Sequence, residues 1–188
     1  MGSNTTEQYR VVIDQARQTF IAKNQDYGTA WRILRISSFV DQLFIKAKRI
    51  RSIEEHQQKA VDEGVEPEFT GLINYAALAL IQLKLTAEKP LEMPFEEVLA
   101  LYDEVTTEAR ELMEKKNHDY GEVWREMWQR SLTDMILMKL LRVRKLLEQD
   151  GKAIASEGID ASFYDIINYS VFALIKMQER HEGNYHSH

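Results

Sequence analysis

The chain carries an internal duplication, and a nine-residue phrase marks it most clearly. The phrase reads KNQDYGTAW at Lys23 to Trp31 and KNHDYGEVW at Lys116 to Trp124. The similarity extends on both sides, so that Tyr9 to Arg51 aligns with Tyr102 to Arg144. With one extra residue in the second copy, it continues through an Ile-Asn-Tyr sequence near the end of each copy. A repeat of this length predicts two similar halves that share one core.

The junction between the copies is the stretch AEKPLEMP, which contains two prolines. Proline in a helix interior removes a hydrogen bond and clashes with the preceding turn, so no helix should run through the junction. We therefore place the boundary near Pro90, with residues 1–89 as the first helical repeat and 90–188 as the second. A chain of 188 residues fits one domain, so the two repeats are expected to pack together as one compact unit.

Each copy predicts three helices, because apolar residues recur at helical spacing and no strand pattern is present. In the first copy, a helix over residues 5–25 is followed by Gly28, where a chain leaving a helix often needs positive φ. The second helix is expected from Ser38 to about Glu63 with Gly64 as its stop, and the third begins near Pro67. The second copy repeats these helices from Phe95, Ser131 and Asp160. The predicted fold class is all-α, a helical bundle of two tandem three-helix repeats with approximate twofold symmetry.

Composition and charge limit the classes of partner. The net charge of −6 argues against broad binding to nucleic acid, because phosphate backbones are bound through clustered lysines and arginines. The chain has no cysteine, which excludes disulfides and thiolate metal sites and suits a reducing compartment. We find no signal peptide and no apolar run of about 18 residues, so no membrane association is expected. The sequence therefore predicts a soluble, cytoplasmic protein.

The second helix of each copy repeats three charged residues, an aspartate, a lysine and an arginine: Asp41, Lys46 and Arg49, then Asp134, Lys139 and Arg142. At 100° per residue the three positions share one face. Leucine and methionine surround them in the second copy, which predicts a buried helix whose aspartate pairs with a cation of its own half, and the same pairing is expected in the first copy. Two interpretations stay open: the charges contact a ligand, or they form a structural salt-bridge lattice between helices.

The repeated phrase places a cation, an amide, a carboxylate and aromatic rings around a glycine turn. Cations bind phosphates, carboxylates hold a metal or a sugar hydroxyl, and aromatic rings stack on bases. The candidate ligand-binding residues of this segment are Lys23, Asn24, Asp26, Tyr27, Trp31 and Arg32, with their counterparts Lys116, Asn117, Asp119, Tyr120, Trp124 and Arg125. The alternative is that the tryptophans fill the core and the aspartates cap the following turn.

The third helices differ in their carboxylates. At matched positions the first copy has Glu68 and Gly71, whereas the second has Ser162 and Asp165. A carboxylate pair three residues apart on a helix can present oxygens to Mg²⁺, but here each copy keeps one member. Glu68 and Asp165 are therefore the candidate metal ligands, with Mg²⁺ as the expected ion. One further turn along each helix, Asn74 and Asn168 are candidate ligand-binding residues.

The combined pattern K-N-x-D-Y-G-x-x-W-R, S-x-x-D-x-x-x-x-K-x-x-R and I-N-Y-x-x-x-A-L-I resembles the nucleotide modification associated domain 1 family, in both copies and over almost the whole chain. The tandem form is similar to two-copy bacterial members, and the resemblance implies a role connected with modified nucleotides. A more distant similarity is to the MazG-like all-α nucleotide pyrophosphatases. The E-E-x-x-E motif of that group is absent, and its E-x-x-D pair is divided between Glu68 and Asp165.

Two functions follow from these observations. In the first, the protein binds a small-molecule nucleotide or modified nucleotide at the repeated motifs, with Mg²⁺-dependent hydrolysis or modification as a further step if the carboxylates converge. In the second, it is a non-catalytic helical binding or assembly module whose charges form an internal lattice. A homo-oligomer is compatible with either function.

Overall fold

The computed structural model describes residues 3–56, 61–85, 89–149 and 158–185, and within these ranges the chain is an all-α bundle, as predicted. Two short 3₁₀ turns, Ala30–Ile33 and Val123–Arg125, follow the first helix of each copy. The helices are α1 Ser3–Tyr27, α2 Ile36–Glu55, α3 Val61–Lys84, α4 Phe95–Tyr120, α5 Gln129–Gln149 and α6 Ile159–Tyr185. None of the helices in the described ranges combines the length and apolar character needed to cross a membrane.

The glycine of the repeated phrase ends the first helix in both halves. Gly28 has φ of 55° and Gly121 has φ of 71°, a region that side chains rarely adopt. The amide of each glycine donates to the backbone carbonyl four residues earlier, at 2.8 Å. This turn satisfies a carbonyl at the helix end and redirects the chain into the 3₁₀ turn that carries Trp31 or Trp124. The predicted role of Gly28 is confirmed.

Helices α3 and α6 form the centre of the bundle. Each packs against the other and against a second helix of its own half, α2 on α3 and α5 on α6, and both also contact α1 and α4. The sequence explains the position, because GLINYAALALIQL and its counterpart are apolar nearly all round, as buried helices are. The central residues of both helices are accordingly buried.

The boundary between α2 and α3 differs from the predicted one. Helix α3 begins at Val61, so Gly64 and Pro67 lie inside its first turns instead of marking a stop and a start. A Cβ at Gly64 would lie 3.4 Å from Cδ1 of Ile53, so this glycine lets α2 and α3 approach closely. Residues 57–60, which the sequence assigns to the second helix, lie outside the described ranges.

A buried asparagine on each central helix joins the two halves. Asn74 Nδ2 donates to the Ala16 carbonyl of its own half at 3.0 Å, and Asn74 Oδ1 accepts from the Tyr102 hydroxyl of the other half at 2.7 Å. The matched residues repeat both contacts at the same distances, in the order Asn168, Ala109 and Tyr9. Burial raises the pKa of both tyrosines, so the hydroxyls stay protonated as donors.

These reciprocal contacts are what an approximate twofold axis between the halves would produce. Helix α2 also packs against α5, and α3 against α6, so both outer and central helices meet their counterparts. The symmetry itself stays a prediction, as does the repeat boundary near Pro90.

We predict that Asn168→Ala lowers the free energy of unfolding by about 3 kcal/mol, because it leaves the buried Tyr9 hydroxyl without its acceptor and removes the second hydrogen bond to the Ala109 carbonyl. Chemical denaturation followed by circular dichroism measures the change. The matched control is Gln178→Ala on the same helix, where an exposed hydrogen bond to Gln15 is lost and a change below about 0.5 kcal/mol is expected. Equal losses in the two variants would contradict the assigned role of Asn168.

Candidate functional site

A cavity of about 300 Å³ lies in the first half, between the end of α1, the glycine turn and α3. Five of the predicted ligand-binding residues line it, namely Lys23, Asn24, Tyr27, Trp31 and Asn74. Phe20, Leu34, Tyr75 and Leu78 complete its apolar walls, and Gly28, Ala30 and Gly71 complete its floor and rim. The repeated phrase and the third helix therefore meet around one concave space, as ligand sites require.

Two buried polar atoms at this cavity lack a hydrogen-bond partner. They are Asn24 Oδ1 and Trp31 Nε1. The Trp124 Nε1 atom of the second half is also unpartnered, so the unpartnered indole nitrogen does not distinguish the two halves. The asparagine does distinguish the halves, because the matched Asn117 donates to the Met113 sulfur at 3.1 Å and its oxygen is not among the unpartnered buried atoms. A buried acceptor without a partner is rare in native structures, and the residue that carries it is one of those that line the cavity.

Lys46 lies across α3 beside the cavity. Its Cε would be 2.8 Å from a Cβ at Gly71, so the lysine stem fills the space that a side chain at this position would need. The Lys46 ammonium is 3.5 Å from the Glu68 carboxylate and 5.6 Å from the centre of the Tyr75 ring. Arg49 reaches the same carboxylate at 3.5 Å, and its side chain is 68% exposed. The Lys46 stem can therefore lie against α3 only because residue 71 has no side chain.

The matched place in the second half is occupied by the chain itself. Asp165, where the first half has Gly71, contacts Lys116 Nζ at 2.8 Å and Lys139 Nζ at 3.0 Å. The Trp124 ring is buried and stacks on Phe172, with ring centres 4.3 Å apart and an angle of 5° between planes. The first half has the smaller Leu78 at the position of Phe172, which leaves Trp31 half-buried at the cavity.

The arginines that follow the tryptophans are held by hydrogen bonds within the protein. Buried Arg32 donates to Gln82 and, at 3.1 Å, to the Lys89 carbonyl. Arg125 lies 4.4 Å above the Trp124 ring centre and is bound to Thr5 and Gln8 of α1, Glu179 of α6, and Glu122 just before the 3₁₀ turn. These arginines fix the turn segments, and neither lines the cavity.

The prediction for the repeated aspartates was wrong. Asp41 pairs with Arg144 at 3.4 Å and Asp134 with Arg51 at 3.7 Å, so each aspartate contacts the other half instead of its own. Both carboxylates are exposed, at 67% and 61%. Helix α5 packs against α6 and α2 and keeps one face in solvent, where Met138 and Leu141 are also exposed. Its apolar composition therefore does not bury the whole helix.

The remaining predicted residues lie at the surface. Arg142 is exposed beside Gly158, and Asp26, Asp119 and Tyr120 are exposed at the last turn of the first helix in each half. The two candidate metal ligands are ion-paired, Glu68 with Lys46 and Arg49, Asp165 with Lys116 and Lys139. Among the described residues, no group of three or more histidines, aspartates and glutamates comes together. Mg²⁺ binding stays a prediction.

Sequence reasoning missed the cavity residues Phe20, Gly71 and Leu78. Each had a signal, because the second copy has Met113, Asp165 and Phe172 at the matched positions. At these positions the two copies differ in side-chain size or charge, and in the first half the positions line the cavity.

We predict that Asp165→Asn lowers the free energy of unfolding by about 2 kcal/mol, since Lys139 and Lys116 lose a carboxylate whose side chain is 11% exposed. The matched control is Asp134→Asn, an exposed pair for which at most about 0.5 kcal/mol is expected. Urea denaturation of both variants at low ionic strength measures the difference. A larger loss for Asp134→Asn would contradict the burial described here.

Comparison with family models finds a match to nucleotide modification associated domain 1 over residues 23–83 and 116–177. The two segments begin at the two lysines of the repeated phrase and each ends within a central helix. Comparison with curated proteins and with solved structures finds no match. The similarity to MazG-like pyrophosphatases stays a prediction.

Proposed function

The chain belongs to the nucleotide modification associated domain 1 family, and from this premise we propose that it binds a nucleotide in the cavity of its first half. The observation that carries the proposal is the cavity itself, which combines aromatic walls, an unpartnered buried amide oxygen and a lysine at its edge. Small-molecule sites have this composition, apolar walls with a few converging polar groups. The family name points to nucleotides as the class of ligand.

The aromatic walls suit a nucleobase. Trp31, Tyr27 and Tyr75 offer ring faces on which a planar base can stack, a contact that contributes about 1–3 kcal/mol per base. Asn24 Oδ1 is an acceptor for an exocyclic amine or a ring N–H of the base, and Trp31 Nε1 is a donor for a base carbonyl or ring nitrogen. Both atoms are buried in this structure, so a bound base would satisfy them once the Asn24 and Trp31 side chains turn toward the cavity.

The cations near the cavity suit the phosphate. Lys23 lines the cavity, and Lys46 lies next to it across Gly71. Ammonium groups form charge-assisted hydrogen bonds with phosphate oxygens, stronger than those between neutral groups. The chain as a whole carries a net charge of −6, so this attraction is local and favours a single nucleotide over a nucleic-acid strand. The volume of about 300 Å³ is at the lower end for ligand sites, which agrees with a ligand of that size.

We propose nucleotide binding only, and we do not propose a chemical reaction. Mg²⁺-dependent hydrolysis or modification would need carboxylates free to hold the ion, whereas Glu68, the candidate metal ligand of this half, is ion-paired with Lys46 and Arg49. The alternative function is a non-catalytic module with an internal polar lattice. The second half supports that alternative for its own site, because Asp165 already pairs with both lysines.

We predict that Asn24→Ala and Trp31→Ala each weaken nucleotide binding, the first about 5-fold through a lost hydrogen bond and the second about 10-fold or more through lost stacking. Calorimetry with ribonucleotides and deoxyribonucleotides up to millimolar concentration, with and without Mg²⁺, measures the affinities. Circular dichroism verifies that helix content is unchanged.

Asn117→Ala is the matched control, because it alters the same position of the repeated phrase in the second half, where Asn117 lines a separate cavity of about 590 Å³. It should leave the affinity within 2-fold of the wild-type value, well short of the change expected from a lost hydrogen bond. Failure of the wild-type protein to bind any nucleotide at millimolar concentration would exclude the proposed function and leave the lattice interpretation. Equal weakening by Asn24→Ala and Asn117→Ala would move the site away from the cavity.

A further inference from the structure

We infer that the space over Gly71, between Lys23 and Lys46, is the place where a ligand phosphate binds, and that the Asp165 carboxylate permanently occupies the matched place in the second half. The inference rests on the proposed function, since it names the group of the nucleotide that the first half recognises. It assigns the ligand to the nucleoside monophosphates and assigns nucleotide binding to one half only.

The second half shows what the two repeated lysines do when an anion lies between them. Lys116 comes from the last turns of α4 and Lys139 from α5, and one oxygen of Asp165 contacts each of them, at 2.8 and 3.0 Å. Both distances are in the range of charge-assisted hydrogen bonds. A carboxylate with two oxygens is the simplest model of the phosphate oxygens that would make the same contacts.

The first half has both matched lysines but a glycine at the position of the Asp165 carboxylate. Lys23 and Lys46 are the matched residues, and the position of Asp165 is Gly71, which has no side chain and lines the cavity. In the part of the chain that the structure describes, no carboxylate forms an ion pair with Lys23. The lysine stem of Lys46 lies over Gly71, and its flexible end can move aside for a ligand oxygen.

A simpler explanation is that Glu68 replaces Asp165 as the counter-charge, and the contacts argue against it. Glu68 reaches Lys46 and Arg49, both from α2, at 3.5 Å each, which is longer than a hydrogen bond. Asp165 instead links a cation of the first helix of its half to a cation of the second. Among the described residues of the first half, no carboxylate links a cation of α1 to a cation of α2, and a phosphate beside Gly71 would supply that link.

The test compares nucleosides with their 5′-monophosphates, so that the phosphate is the variable. Affinities are measured by calorimetry for the wild-type protein and for Gly71→Asp, which copies the second half, with Gly71→Asn as a control of equal size and no charge. Lys116→Ala is the control in the other half. Inorganic phosphate alone is a separate arm, read as a shift in the thermal unfolding midpoint.

The wild-type protein should bind monophosphates at least 10-fold more tightly than nucleosides, and this ratio should fall as salt rises. Gly71→Asp should lower the ratio to about 1, because its carboxylate pairs with the lysines and repels phosphate. The ratio should stay higher in Gly71→Asn than in Gly71→Asp, and Lys116→Ala should not change it. Inorganic phosphate should stabilise the wild-type protein and not Gly71→Asp.

Equal affinity of the wild-type protein for nucleosides and monophosphates would overturn the inference and leave the proposed function standing. The inference would also be overturned if Gly71→Asp kept the preference for monophosphates over nucleosides, or if Lys116→Ala abolished that preference. If no nucleoside or nucleotide binds while inorganic phosphate stabilises the wild-type protein and not Gly71→Asp, the proposed function fails and the anion place stands. If neither binds, both are wrong.

Discussion

Two buried amides hold this bundle in one arrangement. Asn74 and Asn168 each use the nitrogen for a carbonyl of the first helix in their own half and the oxygen for a tyrosine of the other half. A buried polar atom that loses its partner costs about 1–3 kcal/mol, so neither central helix can slide or rotate without losing several such contacts. These bonds fix the register of α3 and of α6 against α1 and α4, and α1 and α3 carry most of the residues around the cavity.

The cavity shows how this constraint extends to the candidate site. Asn74 lines the cavity, and the Tyr102 hydroxyl that binds it comes from the second half. The Tyr102 ring also stacks on Phe20, a second wall residue, with ring centres 4.4 Å apart. The second half therefore supports the walls of the first half from behind, although its own matched place is filled by Asp165. Divergence of one site is compatible with the fold because the shared asparagine bonds are untouched by it.

Much of the fold could be predicted from the sequence, because helical periodicity, the repeated glycine turn and the duplication are local signals. The α2–α3 boundary could not, since Gly64 stands equally for a helix stop and for a close helix contact, and only the approach of Ile53 decides between them. The partners of Asp41 and Asp134 could not be predicted either. Ion pairs depend on which helices become neighbours, and a residue pattern within one helix contains no information on that.

The candidate site was predicted in part for the same reason. Lys23, Asn24, Tyr27 and Trp31 of the phrase line the cavity, because a turn and the adjoining helix bring near neighbours in sequence together, whereas Asp26 and Arg32 do not line it. That these residues bind a ligand stays a prediction. The difference between Gly71 and Asp165 was visible in the sequence as a divided carboxylate pair. Its interpretation depends on which side chains lie next to Asp165 in the folded protein. Only the contacts show that Asp165 lies between Lys116 and Lys139, whereas the Lys46 stem lies over its counterpart Gly71.

The reciprocal tyrosine–asparagine bonds have a consequence for the history of the chain. In a protein with one copy of the repeat, the tyrosine of the first helix would have no second-half asparagine to bind, and two separate molecules would have to associate to satisfy both. In such an ancestor, both reciprocal bonds would lie at the contact between two identical molecules. Joining the copies through residues 86–94 makes the association intramolecular and independent of concentration. It also lets each site mutate separately, which identical subunits encoded by one gene cannot do.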